Sequence, residues 1–250
     1  MSLLDAVLIA LAGVGAGVIN TVVGSGTLVT FPTLLALGYS PVVANVSNTV
    51  GLAPGGVSSV IGYRRELEGQ RSRLIRLGSA SLIGGTIGAI LLVTLPSEAF
   101  DAIVPVLIGV GCVLVAIQPW VARRIKERSE PDQPHGSATM WALILLTGVY
   151  GGYFGAGQGV LLLGVMGIGL NDDWQRINAV KNFLALVANT VAAVLFIFVA
   201  DVSWAVAGLI ALGSIIGGQI GATVGRRLHP TVFRVLIMVI GVIAIWRILA

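Results

Sequence analysis

Long apolar runs, separated by short polar or proline-bearing breaks, make up most of the chain. They predict ten helical segments, near residues 3–22, 27–38, 42–62, 74–95, 99–121, 140–155, 158–170, 176–199, 203–224 and 231–249. Most hold about 18–24 residues, which at 1.5 Å per residue crosses a hydrocarbon core of about 30 Å. Segments 27–38 and 158–170 are too short and reach only about 20 Å as helices. Each follows a glycine-rich break: Gly24-Ser25-Gly26 before the first, Gly155-Ala156-Gly157-Gln158-Gly159 at the second. The opening run MSLLDAVLIALAGVGAG lacks a basic leader and continues into the next run, so it is expected to stay as the first helix.

Composition sharpens this picture. Of 250 residues, 56% are hydrophobic and only 10% charged, whereas soluble domains carry about 25% charged residues. Mean hydropathy is +0.97. A cytosolic enzyme, a nucleic-acid-binding domain and a disordered linker are excluded, and an all-α integral membrane protein is expected. The net charge of +4 comes from short Lys and Arg clusters between apolar runs, the pattern that orients membrane proteins. Cys112 is the single cysteine, and His135 and His229 sit beside prolines, so neither an intrachain disulfide nor a Cys/His metal site is expected.

The segments repeat. Gly84-Gly85-Thr86-Ile87-Gly88-Ala89 recurs as Gly217-Gly218-Gln219-Ile220-Gly221-Ala222 at an offset of 133. Gly24 and Gly26 map onto Gly155 and Gly157 at 131, Ser47-Asn48 onto Lys181-Asn182 at 134, and Phe100 onto Phe233 at 133. Ordered offsets over a hundred residues favour duplication over the general abundance of glycine in membrane helices. The expected units are a first repeat, 1–121, a cytoplasmic linker loop, 122–137, and a second repeat, 138–250.

Charge places the repeats upside down relative to each other. Arg64, Arg65, Arg71, Arg73 and Arg76 follow the third segment, and Arg123, Arg124, Lys126 and Arg128 follow the fifth. In the second half the equivalent basic loop has shifted: residues 200–202 hold only Asp201, while 225–230 hold Arg226 and Arg227. Inverted repeats satisfy the positive-inside rule, and a parallel duplication violates it. Each repeat is then a broken or re-entrant helix hairpin followed by three spans, with both termini outside. A plain three-span reading of each hairpin has the same parity and stays open. Backbone broken at membrane depth must be buried in protein or line a wet cavity.

Polar residues gather at those breaks. Asn20, Thr21, Ser25 and Thr27 flank the first, and Asn45, Ser47, Asn48 and Thr49 open the third segment. Gln158 lies in the second break, and Asn178, Lys181, Asn182, Asn189 and Thr190 lie on the eighth segment. For one Asn alone, interhelical bonding of about 0.6 kcal/mol is an equal reading; for the cluster, a binding site is favoured. The candidate substrate-binding set is Asn20, Gly24, Ser25, Gly26, Thr27, Asn45, Ser47, Asn48, Gly155, Gly157, Gln158, Asn178, Lys181, Asn182 and Asn189. Lys181 has two readings: a cation that attracts an anion, helped by Asn amides and free helix-start N–H groups, or a side chain snorkelling to the interface. No acidic residue falls in a mid-membrane stretch, so neither a carboxylate relay nor a catalytic dyad is evident. Gly13/Gly17 and Gly84/Gly88 have the small-xxx-small spacing of close helix packing.

The chain resembles the TauE/SafE family of sulfite exporters and related permeases for sulfur-containing anions. The resemblance rests on Ala16-Gly17-Val18-Ile19-Asn20 leading to Gly24-Ser25-Gly26, on Phe31-Pro32-Thr33-Leu34-Leu35-Ala36-Leu37-Gly38, on Ala44-Asn45-Val46-Ser47-Asn48 and on Gly62-Tyr63-Arg64-Arg65. In the second half it rests on Gly152-Tyr153-Phe154-Gly155-Ala156-Gly157, Asn178-Ala179-Val180-Lys181-Asn182 and Asn189. It implies a secondary transporter, not an enzyme, that moves sulfite or an organosulfonate through the cytoplasmic membrane by alternating access. Members commonly carry Thr where Ser47 and Lys181 stand, so Lys181 changes the local charge. The inside-negative potential favours anion exit by about 2.3 kcal/mol per charge per 100 mV, so export is preferred. Uptake of a related oxyanion or carboxylate, with a coupling proton or cation, is the alternative, and a non-transporting scaffold is the less favoured one. The expected partners are a small anion and the lipid bilayer, with no cofactor and no nucleic acid.

Overall fold

The computed structural model describes residues 1–126, 137–170, 172–224 and 230–249. Its helices are α1 (Leu3–Val22), α2 (Thr27–Ala36), α3 (Pro41–Gly62), α4 (Arg64–Leu67), α5 (Arg71–Thr94), α6 (Ser97–Lys126), α7 (Ala138–Tyr153), α8 (Gln158–Gly169), α9 (Trp174–Val199), α10 (Trp204–Thr223) and α11 (Pro230–Leu249). Among the described residues there is no strand. All ten expected segments are helices. The structure adds the one-turn α4, starts α5 at Arg71 and carries α6 to Lys126, into the expected linker. Most of the linker with His135, and the basic loop holding Arg226, Arg227 and His229, lie outside the described residues.

Local chemistry sets the helix ends. Ser2 and Asp5 form a capping box on α1, the Asp5 amide donating to Ser2 Oγ and the Ser2 amide to Asp5 Oδ2. Ser137 accepts from the Met140 amide at the start of α7, and Asp173 from the Gln175 amide at the start of α9. Helices α1, α5, α6, α9 and α10 are long and apolar enough to cross a membrane. Side chains such as Leu11, Leu212 and Phe198 stand more than 60% exposed on them. Water would not tolerate that apolar surface, whereas lipid does. The chain is a multi-pass, all-helical membrane protein.

Glycines set the closest helix approaches. A Cβ on Gly17 of α1 would lie 2.5 Å from Ser214 O of α10, and one on Gly84 of α5 would lie 2.9 Å from the Val149 amide of α7. Only glycine admits such contact, so the Gly13/Gly17 and Gly84/Gly88 pairs are packing seams. Contacts also climb in step along the partners. Gly13 meets Ile210, Gly17 meets Ser214 and Gly221 meets Thr21, so α1 and α10 run parallel. Gly51, Gly55 and Gly62 meet Ile210, Ser214 and Ala222, so α3 joins them. Gly84 and Gly88 meet Leu145 and Val149, and Gly78 and Gly85 meet Phe183 and Ala188, so α5, α7 and α9 form a second parallel set. Only residues 200–203 join α9 to α10, a link too short for parallel neighbours, so the two sets run in opposite directions. Helices α3 and α9 meet between the sets.

Candidate site at the two helix breaks

Helices α1 and α7 both stop inside the protein. After α1, Gly24 takes φ 87°, and after α7, Gly155 and Gly157 both take φ 80°, values that an L side chain rarely adopts. The chain turns back into α2 and α8 at these points. The two turns touch, and the Gly159 amide donates to Gly24 O at 3.0 Å. Phe31, Phe100 and Phe154 pack edge-on behind them, with Phe31 and Phe154 centroids 5.1 Å apart.

A helix that ends away from water leaves bare carbonyls. At α1 these are met from α9. Lys181 Nζ donates to Asn20 O at 2.9 Å and to Thr21 O at 3.1 Å. Asn178 and Asn182 add their Nδ2 groups to Thr21 O at 3.4 and 3.3 Å. At α7, Asn45 of α3 performs the neutral version, donating from Nδ2 to Tyr153 O at 2.9 Å. Lys181 is wholly buried, so it does not snorkel. Its charge lies against the negative end of α1, where a cation stabilises a helix by about 0.3–2 kcal/mol.

A small, partly open cavity of about 30 Å³ lies between the breaks. Seven of the expected residues line it: Asn20, Gly24, Thr27, Gly155, Gln158, Asn182 and Asn189. Gln158 Nε2 is buried without a partner beside this space, its amide packed over Gly151 of α7. The volume suits one or two waters, and a larger solute enters only if the walls part. Others of the expected residues stand behind this lining. Gly26 donates its amide to Asn20 Oδ1 at 2.6 Å. Asn48 accepts from Thr30 Oγ1 and donates to Thr27 Oγ1. Gly157 packs on Leu114 of α6, and Ser25 is buried with its Oγ unpartnered.

Two expectations change. Ser47 does not join the cavity lining; its Oγ accepts from the Ser203 amide and fastens α3 to the start of α10. The expected free N–H groups at the start of α8 are spent, the amides of Gln158, Gly159 and Val160 donating to Gly155 O, Gly24 O and Gly157 O. The turns bond to each other, so the cavity offers side-chain amides instead. Sequence reading missed Ser59, which lines the cavity and bonds Thr21 Oγ1 at 2.6 Å, and Thr30, whose partner is Asn48. Both are small hydroxyl residues without a distinctive spacing.

A polar junction closes the arginine-rich face. Asp172, before α9, pairs with Arg73 at 2.7 Å and Arg176 at 2.9 Å. Arg73 also donates to Gln70 Oε1, and Gln70 Nε2 donates to Glu66 O at 2.7 Å. Burial alone would raise the Asp172 carboxyl, but the Arg73 hydrogen bond, the Asp173 amide and the charges of Arg73 and Arg176 together hold it below its ordinary value.

Comparison with known proteins agrees with this architecture. Residues 9–248 match the family described as Sulfite exporter TauE/SafE. A probable membrane transporter protein, ORF9 of Sinorhizobium sp, is 26% identical over 243 residues, covering 94% of this chain and 88% of its own. The probable membrane transporter protein YfcA of Escherichia coli (strain K12) is 25% identical over 233 residues, covering 91% and 83%. A probable membrane transporter protein of Haemophilus influenzae is 23% identical over 229 residues, covering 91% and 88%.

Proposed function

The chain belongs to the TauE/SafE family, and from that premise we propose a secondary carrier for a small sulfur-containing anion of the sulfite or organosulfonate type. The anion binds between the two helix breaks and crosses the cytoplasmic membrane by alternating access. The observation that carries this reading is the unspent Gln158 Nε2 donor beside a cavity whose polar lining groups are amides and hydroxyls. Such groups suit oxyanion oxygens. No buried acid stands among the described residues to repel one. Lys181 adds a positive field from behind the wall, its stem 3.1 Å from where a Cβ on Gly159 would stand.

Two inverted repeats, 1–121 and 138–250, supply the moving parts. Support comes from matched contacts: Gly84 and Gly88 meet Leu145 and Val149, while Gly217 and Gly221 meet Val14 and Val18, residues that differ by the same 131 as the glycine breaks. Gly85 meets Ala188 as Gly218 meets Gly55. Equivalent helices lie in opposite directional sets, as an inverted pair requires. Alternating access moves one repeat against the other around the cavity. Export follows from the membrane potential, which drives anions outward.

A thermal-shift screen of purified protein against sulfite, thiosulfate, sulfoacetate, sulfate and acetate tests this. A ligand of the folded state raises the transition by mass action. A saturable rise with a sulfur oxyanion or sulfonate, and none with acetate, is expected. A flat response to every anion overturns the reading.

A further inference from the structure

Capping a buried helix end does not require a charge. The end of α7 is held by the neutral Asn45 amide, while the end of α1 receives two neutral amides and an ammonium as well. Burying an ammonium costs several kcal/mol unless its surroundings compensate. Lys181 has no exposure and no acidic partner among the ion pairs of the described residues. Its hydrogen bonds go to two main-chain carbonyl oxygens at a broken helix end.

That oxygen set has the chemistry of a monovalent-cation site. In carriers with broken helices, the carbonyls at half-helix C-termini hold the coupling cation. A second observation points to the same ligand. Asn178, on α9 one turn before Lys181, is buried, and its Oδ1 acceptor has no partner. Its Nδ2 shares Thr21 O with the ammonium, so this unspent oxygen stands next to the site without bonding Nζ.

We propose that the Lys181 ammonium stands in for a bound monovalent cation at the end of α1, so that this carrier holds its cation covalently. For its functional meaning the inference rests on the carrier reading above. It deepens that reading: the cation behind the anion cavity belongs to the chain itself, and sodium or potassium from solution has no place at this position.

The test is the thermal stability of the purified full-length chain in NaCl, KCl, LiCl or choline chloride at equal ionic strength. Wild type, Lys181→Ala and Lys181→Met are compared. Wild type is expected to melt at the same temperature in all four salts. Lys181→Ala empties the site, so it melts lower in choline and recovers by about 3 °C or more, saturably, in one of the small cations. Lys181→Met keeps the stem in place and shows no recovery. Lys181→Thr, which supplies a hydroxyl ligand, takes the place of the Ala variant if that one does not fold. Equal melting of the emptied variant in all salts overturns the proposal. So does an equally strong cation response in wild type, or failure of both emptied variants to fold in every salt. All four salts share chloride and only the cation varies, so a flat anion screen with a positive cation result refutes the substrate reading alone.

Discussion

The contact between the two glycine turns makes a quantitative prediction. In Gly159→Ala the new Cβ would fall 3.0 Å from the Gly24 carbonyl oxygen and 3.1 Å from Lys181 Cδ, and closer still to Gly24 Cα. Carbon–carbon contacts settle at about 3.5–4.0 Å, so the overlap is about 0.5 Å or more. The obstacle is main chain on the Gly24 side and cannot rotate away. The turns must separate, and the 3.0 Å bond from the Gly159 amide to Gly24 O is lost with them. Overpacking costs about 1–3 kcal/mol and the hydrogen bond about 1 kcal/mol. A loss of about 2–4 kcal/mol lowers the melting temperature by about 5–15 °C at this chain length. Gly208→Ala is the control, because nothing lies within 4 Å of a Cβ there; an exposed helical site gains up to about 1 kcal/mol from the change. The assay is thermal melting in lipid nanodiscs with anion exchange in proteoliposomes. If Gly159→Ala matches Gly208→Ala in both, the two turns are not in contact as described.

Three further outcomes are expected. Asp172→Asn removes one carboxylate from the buried Arg73 and costs about 2–4 kcal/mol near neutral pH. Because the Asp172 value is lowered from 3.8, the wild-type advantage is full above about pH 4 and fades as pH falls through the lower folded-state value; melting curves at pH 7 and pH 3 check this. Asn48→Leu removes the buried partner of Thr27 and Thr30 and costs about 1–3 kcal/mol by melting, with weaker anion binding than in Ser58→Ala. In a Cys112→Ala background, Ser72→Cys and Asp201→Cys are expected to label from opposite sides of the membrane, the former from the cytoplasm; labelling from one side refutes the helix directions.

The sequence carries depth better than direction. Apolar run length located every long helix, and the glycine breaks marked where α1 and α7 stop. Arg73 reads as part of a basic loop, yet α5 begins two residues before it and turns it inward to Asp172. That pairing joins residues 99 apart, a distance no local pattern spans. Ser47 sits next to Asn48 in sequence and at membrane depth, but on a helix neighbours point about 100° apart, and Ser47 faces α10. The partners of Lys181 are main-chain oxygens, which leave no mark on residue identity. The spent amides of α8 depend on contact between the two turns, again invisible along the chain.

Exchange of radiolabelled sulfite or sulfonate into preloaded proteoliposomes tests the central claim most directly, with wild type, Gln158→Leu and Ser58→Ala side by side. Wild type and Ser58→Ala are expected to exchange the anion well above empty liposomes, and Gln158→Leu to lose at least about tenfold, as removal of one charge-assisted hydrogen bond implies. Equal exchange by Gln158→Leu and wild type, or no exchange by wild type with any of these anions, would contradict an anion site between the two breaks.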